Sequence, residues 1–166
     1  MSKEKILITD PVHQLLIEEL QGMGYEVDYQ PAANQLKVLE AISEYTGLII
    51  NSKINADVQL IDRGVRLKFI GRLGAGLEVI DQPYASSKGI KCFNTPEGNC
   101  DAVAEHAVGM LLGLMNHISR ADAQVKKGEW LREPNRGAEL GGKTVGIIGY
   151  GNTGNAFAKR LAGFNV

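Results

Sequence analysis

Three glycines near the end of the sequence are spaced as phosphate-binding glycines commonly are. Residues 144–154 read TVGIIGYGNTG, in which Gly149, Gly151 and Gly154 follow a short apolar segment. In a Gly-x-Gly-x-x-Gly motif the first glycine allows a tight turn, the second lets a pyrophosphate approach the backbone, and the third lets the next helix pack closely. The free N–H groups at the start of that helix bind the phosphates. The motif predicts a dinucleotide site formed by Gly149, Tyr150, Gly151, Asn152, Thr153 and Gly154.

The residues around this motif favour a binding site over a glycine-rich turn that binds nothing. We expect a strand over residues 144–148 and, after the glycines, a helix over Thr153–Leu161 with an apolar face. The acidic residue that would bind the ribose hydroxyl is expected about 20 residues after the motif, beyond Val166. The motif therefore does not decide between NAD and NADP. We expect NAD, without excluding NADP.

Strand and helix patterns alternate over residues 1–97. Such alternation predicts a parallel α/β sheet, and a third strand that is apolar throughout suits the centre of one. Five strands are the number that a complete flavodoxin-like domain needs. The predicted strands are 6–9, 25–29, 47–50, 67–70 and 90–93. A first helix is predicted to begin at Asp10-Pro11, and two more are predicted over residues 34–44 and 83–88.

Residues 98–166 show a different pattern. Asp101 is expected to cap a long helix that runs to about Arg120 and is apolar on nearly all sides, which predicts a buried helix. One strand and one helix follow it. We therefore expect linker helices and the opening, incomplete part of a Rossmann-type dinucleotide-binding domain, in a chain truncated from a larger enzyme. Because little else in residues 98–166 could bury this apolar helix, we expect the chain to be oligomeric, or ordered only in its first domain.

The composition excludes several other classes of protein. A net charge of −1 and a pI near 6.3 give no reason to expect nucleic acid or an anionic membrane as a partner. No secretory signal is recognisable, and the longest apolar run, Ala107–Met115, is too short to cross a membrane. Cys92 and Cys100 lack the spacing of metal ligands. We expect a cytoplasmic protein that has no metal site and acts on a small molecule.

Six segments carry a wider similarity. They are GRLGAGLEVID at 71–81, GI at 89–90, NTP at 94–96, VAEH at 103–106, KGEW at 127–130 and LGGKTVGIIG at 140–149. Together they resemble the D-isomer-specific 2-hydroxyacid dehydrogenases, and most closely the phosphoglycerate dehydrogenases. The resemblance implies an NAD-dependent oxidoreductase that interconverts a D-2-hydroxy acid and its 2-keto acid. It also implies a homodimer formed through the linker-helix region, in which Trp130 contacts the other subunit.

The resemblance also assigns substrate-binding residues. Backbone N–H groups of Gly74, Ala75 and Gly76 would bind the substrate carboxylate, which larger side chains would obstruct. Ala75 would in addition contact the nicotinamide. Arg72 would pair with an anionic group of the substrate, and Asn99 would lie at the edge of the substrate cleft.

Residues 51–53 depart from the family pattern. The phosphoglycerate dehydrogenases usually have Arg-Ser where this sequence has Asn51, Ser52 and Lys53. Arginine binds phosphate through a planar fork, whereas lysine offers a point charge. We count all three as candidate substrate ligands, and Asn51 favours hydroxypyruvate or glyoxylate reductase as the alternative activity.

The family's catalytic arginine, glutamate and histidine all follow the glycine motif, so we expect no catalytic residue in this chain and no activity of the chain alone. His106 is interpreted as a hydrogen-bonded structural residue of the long helix. Two non-enzymatic alternatives stay open. One is an NAD-sensing regulatory protein on the same scaffold, and the other is an autonomous flavodoxin-like module in which the glycine turn is incidental.

Overall fold

The computed structural model describes residues 3–166; Met1 and Ser2, which begin the predicted first domain, lie outside the described residues. The chain divides into two compact units. The first ends at Pro96, and the second covers Glu97–Val166.

The first unit is built on a five-stranded parallel sheet. Its strands are β1 (Lys5–Ile8), β2 (Glu26–Tyr29), β3 (Gly47–Ile50), β4 (Phe69–Arg72) and β5 (Lys91–Phe93). They lie in the order β2-β1-β3-β4-β5, which is the flavodoxin-like order. The predicted α/β fold is confirmed. All four residues of β3 are buried, because this central strand is covered on both faces.

Four helices connect the strands. They are α1 (Gln14–Gly22), α2 (Gln35–Ala41), α3 (Val58–Arg63) and α4 (Gln82–Ser87), and a single 3-10 turn at Ile42–Glu44 extends α2. Each begins at a residue whose side chain accepts a hydrogen bond from a backbone N–H of the first turn, as helix starts require. These N-cap residues are His13, Asn34, Asp57 and Asp81.

The predicted start of α1 at Asp10-Pro11 is wrong. The helix begins at Gln14, with Nδ1 of His13 accepting the N–H of Leu15 at 3.2 Å. Asp10 does not cap α1, because its carboxylate is turned inward and accepts the N–H of Asn51 at 2.9 Å. Strand β4 likewise begins two residues later than predicted, at Phe69.

Side chains of neighbouring strand residues enter opposite faces of the sheet, as the pleat requires. Leu48 and Ile50 of β3 belong to the larger core, together with residues of α2, α3 and α4. Ile49 faces the other way and joins Ile6 and Ile8 against the apolar side of α1.

The second unit contains three helices, α5 (Cys100–Met115), α6 (Ile118–Val125) and α7 (Asn152–Leu161). The single helix predicted to reach Arg120 is interrupted at His117, whose φ of 53° is left-handed. Helix α7 is joined to α5 by Arg160, which forms ion pairs of 3.1 Å with Asp101 and with Glu105.

Two further predictions for this unit are wrong. Residues 144–148 do not form a strand; Glu97–Val166 contains no strand that could pair with them, and a strand requires such a neighbour. Helix α5 is not buried. Ala104 is its one fully buried residue, while Met110 and Leu114 are 64% and 74% exposed. Within residues 3–166, no helix is both long and apolar enough to cross a membrane.

Candidate functional site

The strands of the parallel sheet all end at one edge, which we call the carboxyl edge. It is formed by residues 9–13, 30–33, 51–54, 72–77 and 94–96. In open α/β sheets, ligands bind outside the carboxyl ends of the strands. The predicted substrate ligands of the first unit all lie at this edge. They are Asn51, Ser52 and Lys53 after β3, and Arg72, Gly74, Ala75 and Gly76 at and after β4.

The turn 74–76 has all three of its backbone carbonyl groups bound within the first unit. The pairs are Gly74 O with the N–H of Thr95 (2.9 Å), Ala75 O with Nδ2 of Asn94 (2.6 Å) and Gly76 O with Nη1 of Arg72 (2.6 Å). Because every carbonyl is held from the side of β5 or β4, the turn has a fixed orientation.

Two of the three backbone N–H groups of the same turn are free. The predicted use of the third is wrong, because the N–H of Gly74 donates to the carbonyl of Arg72 at 3.0 Å. Neither Ala75 nor Gly76 donates its N–H to any acceptor among residues 3–166. Consecutive N–H groups of this kind form a concavity that attracts anions. The turn therefore presents donors only, which suits a carboxylate.

Asn94 and Thr95 were missed as supports of this turn. The sequence could have indicated both residues, because they directly follow the fifth predicted strand. The strand order places β5 beside β4, so the residues after the two strands must meet.

The side chain of Arg72 is held from within the chain. It is 12% exposed, and its Nη1 atom lies 3.0 Å from Oε1 of Glu78. Its Nε atom is buried without a hydrogen-bond partner in the described residues. Arg72 thus braces the turn through Gly76 and has a carboxylate as its counter-ion.

The loop after β3 is organised by Asp10. Oδ2 of this buried carboxylate accepts the hydroxyl of Thr9 and the N–H of Asn51, both at 2.9 Å. Nζ of Lys53 lies 4.0 Å from Oδ1 of Asp10 and donates to the carbonyl of Pro31 at 2.5 Å. Ser52 is exposed. Sequence reasoning treated Asp10 as a helix cap and missed this contact with the third strand.

The glycine turn of the second unit meets the start of α7. Gly149 has a left-handed φ of 89°, which favours glycine. A Cβ atom on Gly154 would overlap the carbonyl oxygen of Gly149, whereas one on Gly151 would have nothing within 4 Å. The space in front of Gly151 is therefore open.

A cavity of about 370 Å³ lies at this helix start. The first N–H groups of a helix have no intrahelical acceptor, and no side chain caps α7. The cavity can therefore offer hydrogen-bond donors to a phosphate group. Its lining residues are Cys100, Asp101, Tyr150, Gly151, Asn152, Asn155, Ala156 and Lys159.

Other residues of the second unit differ from expectation. His106 is exposed and has no side-chain hydrogen bond among residues 3–166, so its interpretation as a hydrogen-bonded buried residue is wrong. Asn99 precedes α5 as its N-cap residue but makes no capping bond with its side chain. In the described part of the chain, no three His, Cys, Asp or Glu side chains are placed to hold a metal ion.

The sequence is similar to those of known dehydrogenases and reductases. The sequence profile of the D-isomer specific 2-hydroxyacid dehydrogenase catalytic domain matches residues 6–162. D-3-phosphoglycerate dehydrogenase of Archaeoglobus fulgidus is 35% identical over 156 residues, which are 94% of this chain and 30% of that protein. Hydroxypyruvate reductase of Thermotoga maritima is 36% identical over 172 residues, covering 100% of this chain and 54% of that protein.

The structure is also similar to that of a solved reductase. The NADPH-dependent glyoxylate/hydroxypyruvate reductase of Sinorhizobium meliloti, in complex with NADP and malonate, superposes with a TM-score of 0.75. It is 28% identical, and the match covers 99% of this chain and 52% of that one. The chain thus spans about a third to a half of the length of these relatives.

Proposed function

Because the chain belongs to the D-isomer specific 2-hydroxyacid dehydrogenase family, we propose that the protein is an oxidoreductase acting on a D-2-hydroxy acid. It interconverts this acid and the corresponding 2-keto acid with a nicotinamide dinucleotide. The relatives from A. fulgidus and T. maritima are named for reactions of this class.

The observation that carries the proposal is the turn at 74–76. Its three carbonyl groups are bound within the chain, and the N–H groups of Ala75 and Gly76 are free. A substrate carboxylate accepting both N–H groups would be fixed without any cationic side chain. That contact would orient C2, the carbon that is oxidised or reduced.

The coenzyme would be held at the start of α7. The residues fit a pyrophosphate, because the space beside Gly151 is open and the first N–H groups of the helix have no capping side chain. Bound there, it would accept or supply the hydride at C2. We propose NAD, with NADP as the alternative that the S. meliloti reductase illustrates.

Two kinds of substrate, one phosphorylated and one not, are supported by different observations. D-3-phosphoglycerate is supported by relatives such as the A. fulgidus dehydrogenase. Hydroxypyruvate or glyoxylate is supported by Asn51, which stands where an arginine would otherwise bind phosphate. The catalytic arginine, glutamate and histidine are proposed to lie outside residues 1–166. On this proposal the chain alone does not oxidise NADH in the presence of hydroxypyruvate.

We further propose that a second copy of the protein covers the exposed side of α5. Met110 and Leu114 on α5 and Ile118 on α6 leave apolar surface beside a cavity of about 690 Å³. Trp130 is 80% exposed in the same unit. Large exposed apolar surfaces commonly mark subunit interfaces. Free thiols at Cys92 and Cys100 support a reducing compartment such as the cytoplasm.

The coenzyme site is tested by titrating the chain with NADH and recording amide shifts by NMR. We expect shifts in Gly151–Thr153, and loss of binding in Gly151→Val, whose side chain fills the open space. The matched control is Gly163→Val, which also places a side chain in open space but away from the glycine turn. Equal affinity of both variants for NADH would show that the glycine turn binds no coenzyme.

A further inference from the structure

The carboxyl edge carries two permanent cations among the described residues, Arg72 and Lys53. Each is already paired with a carboxylate of the first unit. Arg72 lies 3.0 Å from Glu78, and Lys53 lies 4.0 Å from Asp10. Two ion pairs therefore lie at or directly beside the edge, and each holds one positive and one negative charge.

Neither cation can bind a ligand without breaking a contact within the first unit. Arg72 is nearly buried and also holds the carbonyl of Gly76, so turning it toward a ligand would release the turn. Lys53 donates to the carbonyl of Pro31 as well. Asp10 cannot move aside, because it is 8% exposed and accepts two further hydrogen bonds.

The N–H groups of Ala75 and Gly76 are adjacent free donors at the edge, and together they can bind one carboxylate. A cavity of about 180 Å³ adjoins the turn, and Arg72 is the one charged side chain among its lining residues in the described chain. The other residues that line it are Leu16, Ile49, Phe69, Gly71, Leu73, Phe93, Asn94 and Thr95.

We propose that Asp10 and Glu78 are specificity-determining residues that neutralise Lys53 and Arg72, so that the site selects small 2-hydroxy or 2-keto acids whose only anionic group is the carboxylate. Glyoxylate and hydroxypyruvate belong to this class. A phosphate group carries a charge of about −1.5 to −2 at neutral pH. At this edge it would meet no unpaired cation, so it would gain no attraction in return for its lost hydration. This inference rests on the proposed function and decides between its two substrates.

Two ligands that differ only in the phosphate test it. The chain is titrated with D-glycerate and with D-3-phosphoglycerate, and the amide shifts of Ala75 and Gly76 give both dissociation constants. We expect D-3-phosphoglycerate to bind at least about tenfold more weakly, because its phosphate loses hydration at an edge that offers no unpaired cation. Equal or tighter binding of the phosphorylated acid overturns the inference and leaves the proposed function in place. Absence of these shifts with either acid overturns both.

Variants that remove one carboxylate each test whether Asp10 and Glu78 cause the preference for the acid without phosphate. Asp10→Asn and Glu78→Gln each release one cation, and each should lower the ratio of the two dissociation constants about tenfold. Glu78 is exposed, so its variant keeps the test valid if Asp10→Asn fails to fold. Glu44→Gln is the matched control, because Glu44 pairs with Lys5 at the opposite end of β1. A ratio that changes equally in all three variants shows an effect of net charge alone and contradicts the inference.

Discussion

The carbonyl oxygen of Gly149 occupies the space that a Cβ atom on Gly154 would need. The contact is with backbone, which cannot rotate away as a side chain can. Gly154→Ala should therefore destabilise the second unit by about 1–3 kcal/mol, the usual cost of overpacking. Gly151→Ala meets no neighbour and should leave stability nearly unchanged. Amide hydrogen exchange of α7 measures both effects, and equal protection in the two variants would contradict the prediction.

The centre of the sheet gives a second prediction. Leu48 is fully buried in β3, between β1 and β4. Leu48→Ala should lower the free energy of unfolding of the first unit by about 2–5 kcal/mol, because it creates a cavity in a covered strand. Leu36→Ala is the control, since Leu36 is 69% exposed. Urea denaturation followed by circular dichroism compares the two variants. Similar midpoints would show that Leu48 is not part of the hydrophobic core.

The sheet could be predicted because its strands are short apolar runs separated by helix signals. β3 is the clearest case, since an apolar run of this kind is typical of a central parallel strand. Helix α3 was not predicted. It is six residues long, and its two buried residues, Leu60 and Ile61, are too few to show a helical period.

The site could be predicted only in part. The glycines at 74–76 were identified from a family resemblance, and the strand order explains why they meet Asn94 and Thr95. The inward turn of Asp10 could not be predicted, because Asp-Pro is an equally good helix start. Pairing across 41 residues, as between Asp10 and Asn51, leaves no local signal.

The exposed side of α5 leads to a third prediction. If a second copy covers this surface, Leu114→Glu should place a charge in the interface and shift the chain toward monomer. Leu114 is 74% exposed within one copy, so the variant should not disturb its folding. Val65→Glu is the control, because Val65 is 78% exposed in the first unit. Light scattering after size exclusion measures the mass, and a parent chain that is already monomeric would refute the dimer.

The last prediction concerns alkaline pH. The hydroxyl of Tyr45 donates to Oδ2 of Asp28 at 2.5 Å, and the residue is 5% exposed. Burial raises the pKa of Tyr45, and the hydrogen bond to Asp28 raises it further. An unfolded tyrosine has a pKa of about 10. Below that pH both states keep the proton, and the contribution of Tyr45 to stability is fully present.

Above about pH 10 the unfolded state loses its proton first. The free energy of unfolding should then fall by up to about 1.4 kcal/mol per pH unit on account of this residue, until the folded phenol ionises as well. Tyr45→Phe should remove that part of the decline while lowering stability at neutral pH, where the hydrogen bond to Asp28 is lost. Tyr29→Phe, which alters a side chain that is 42% exposed, should keep the decline. Urea denaturation at pH 8, 10 and 11 measures the slopes, and parallel curves for the parent chain and Tyr45→Phe would show that Tyr45 makes no such contribution.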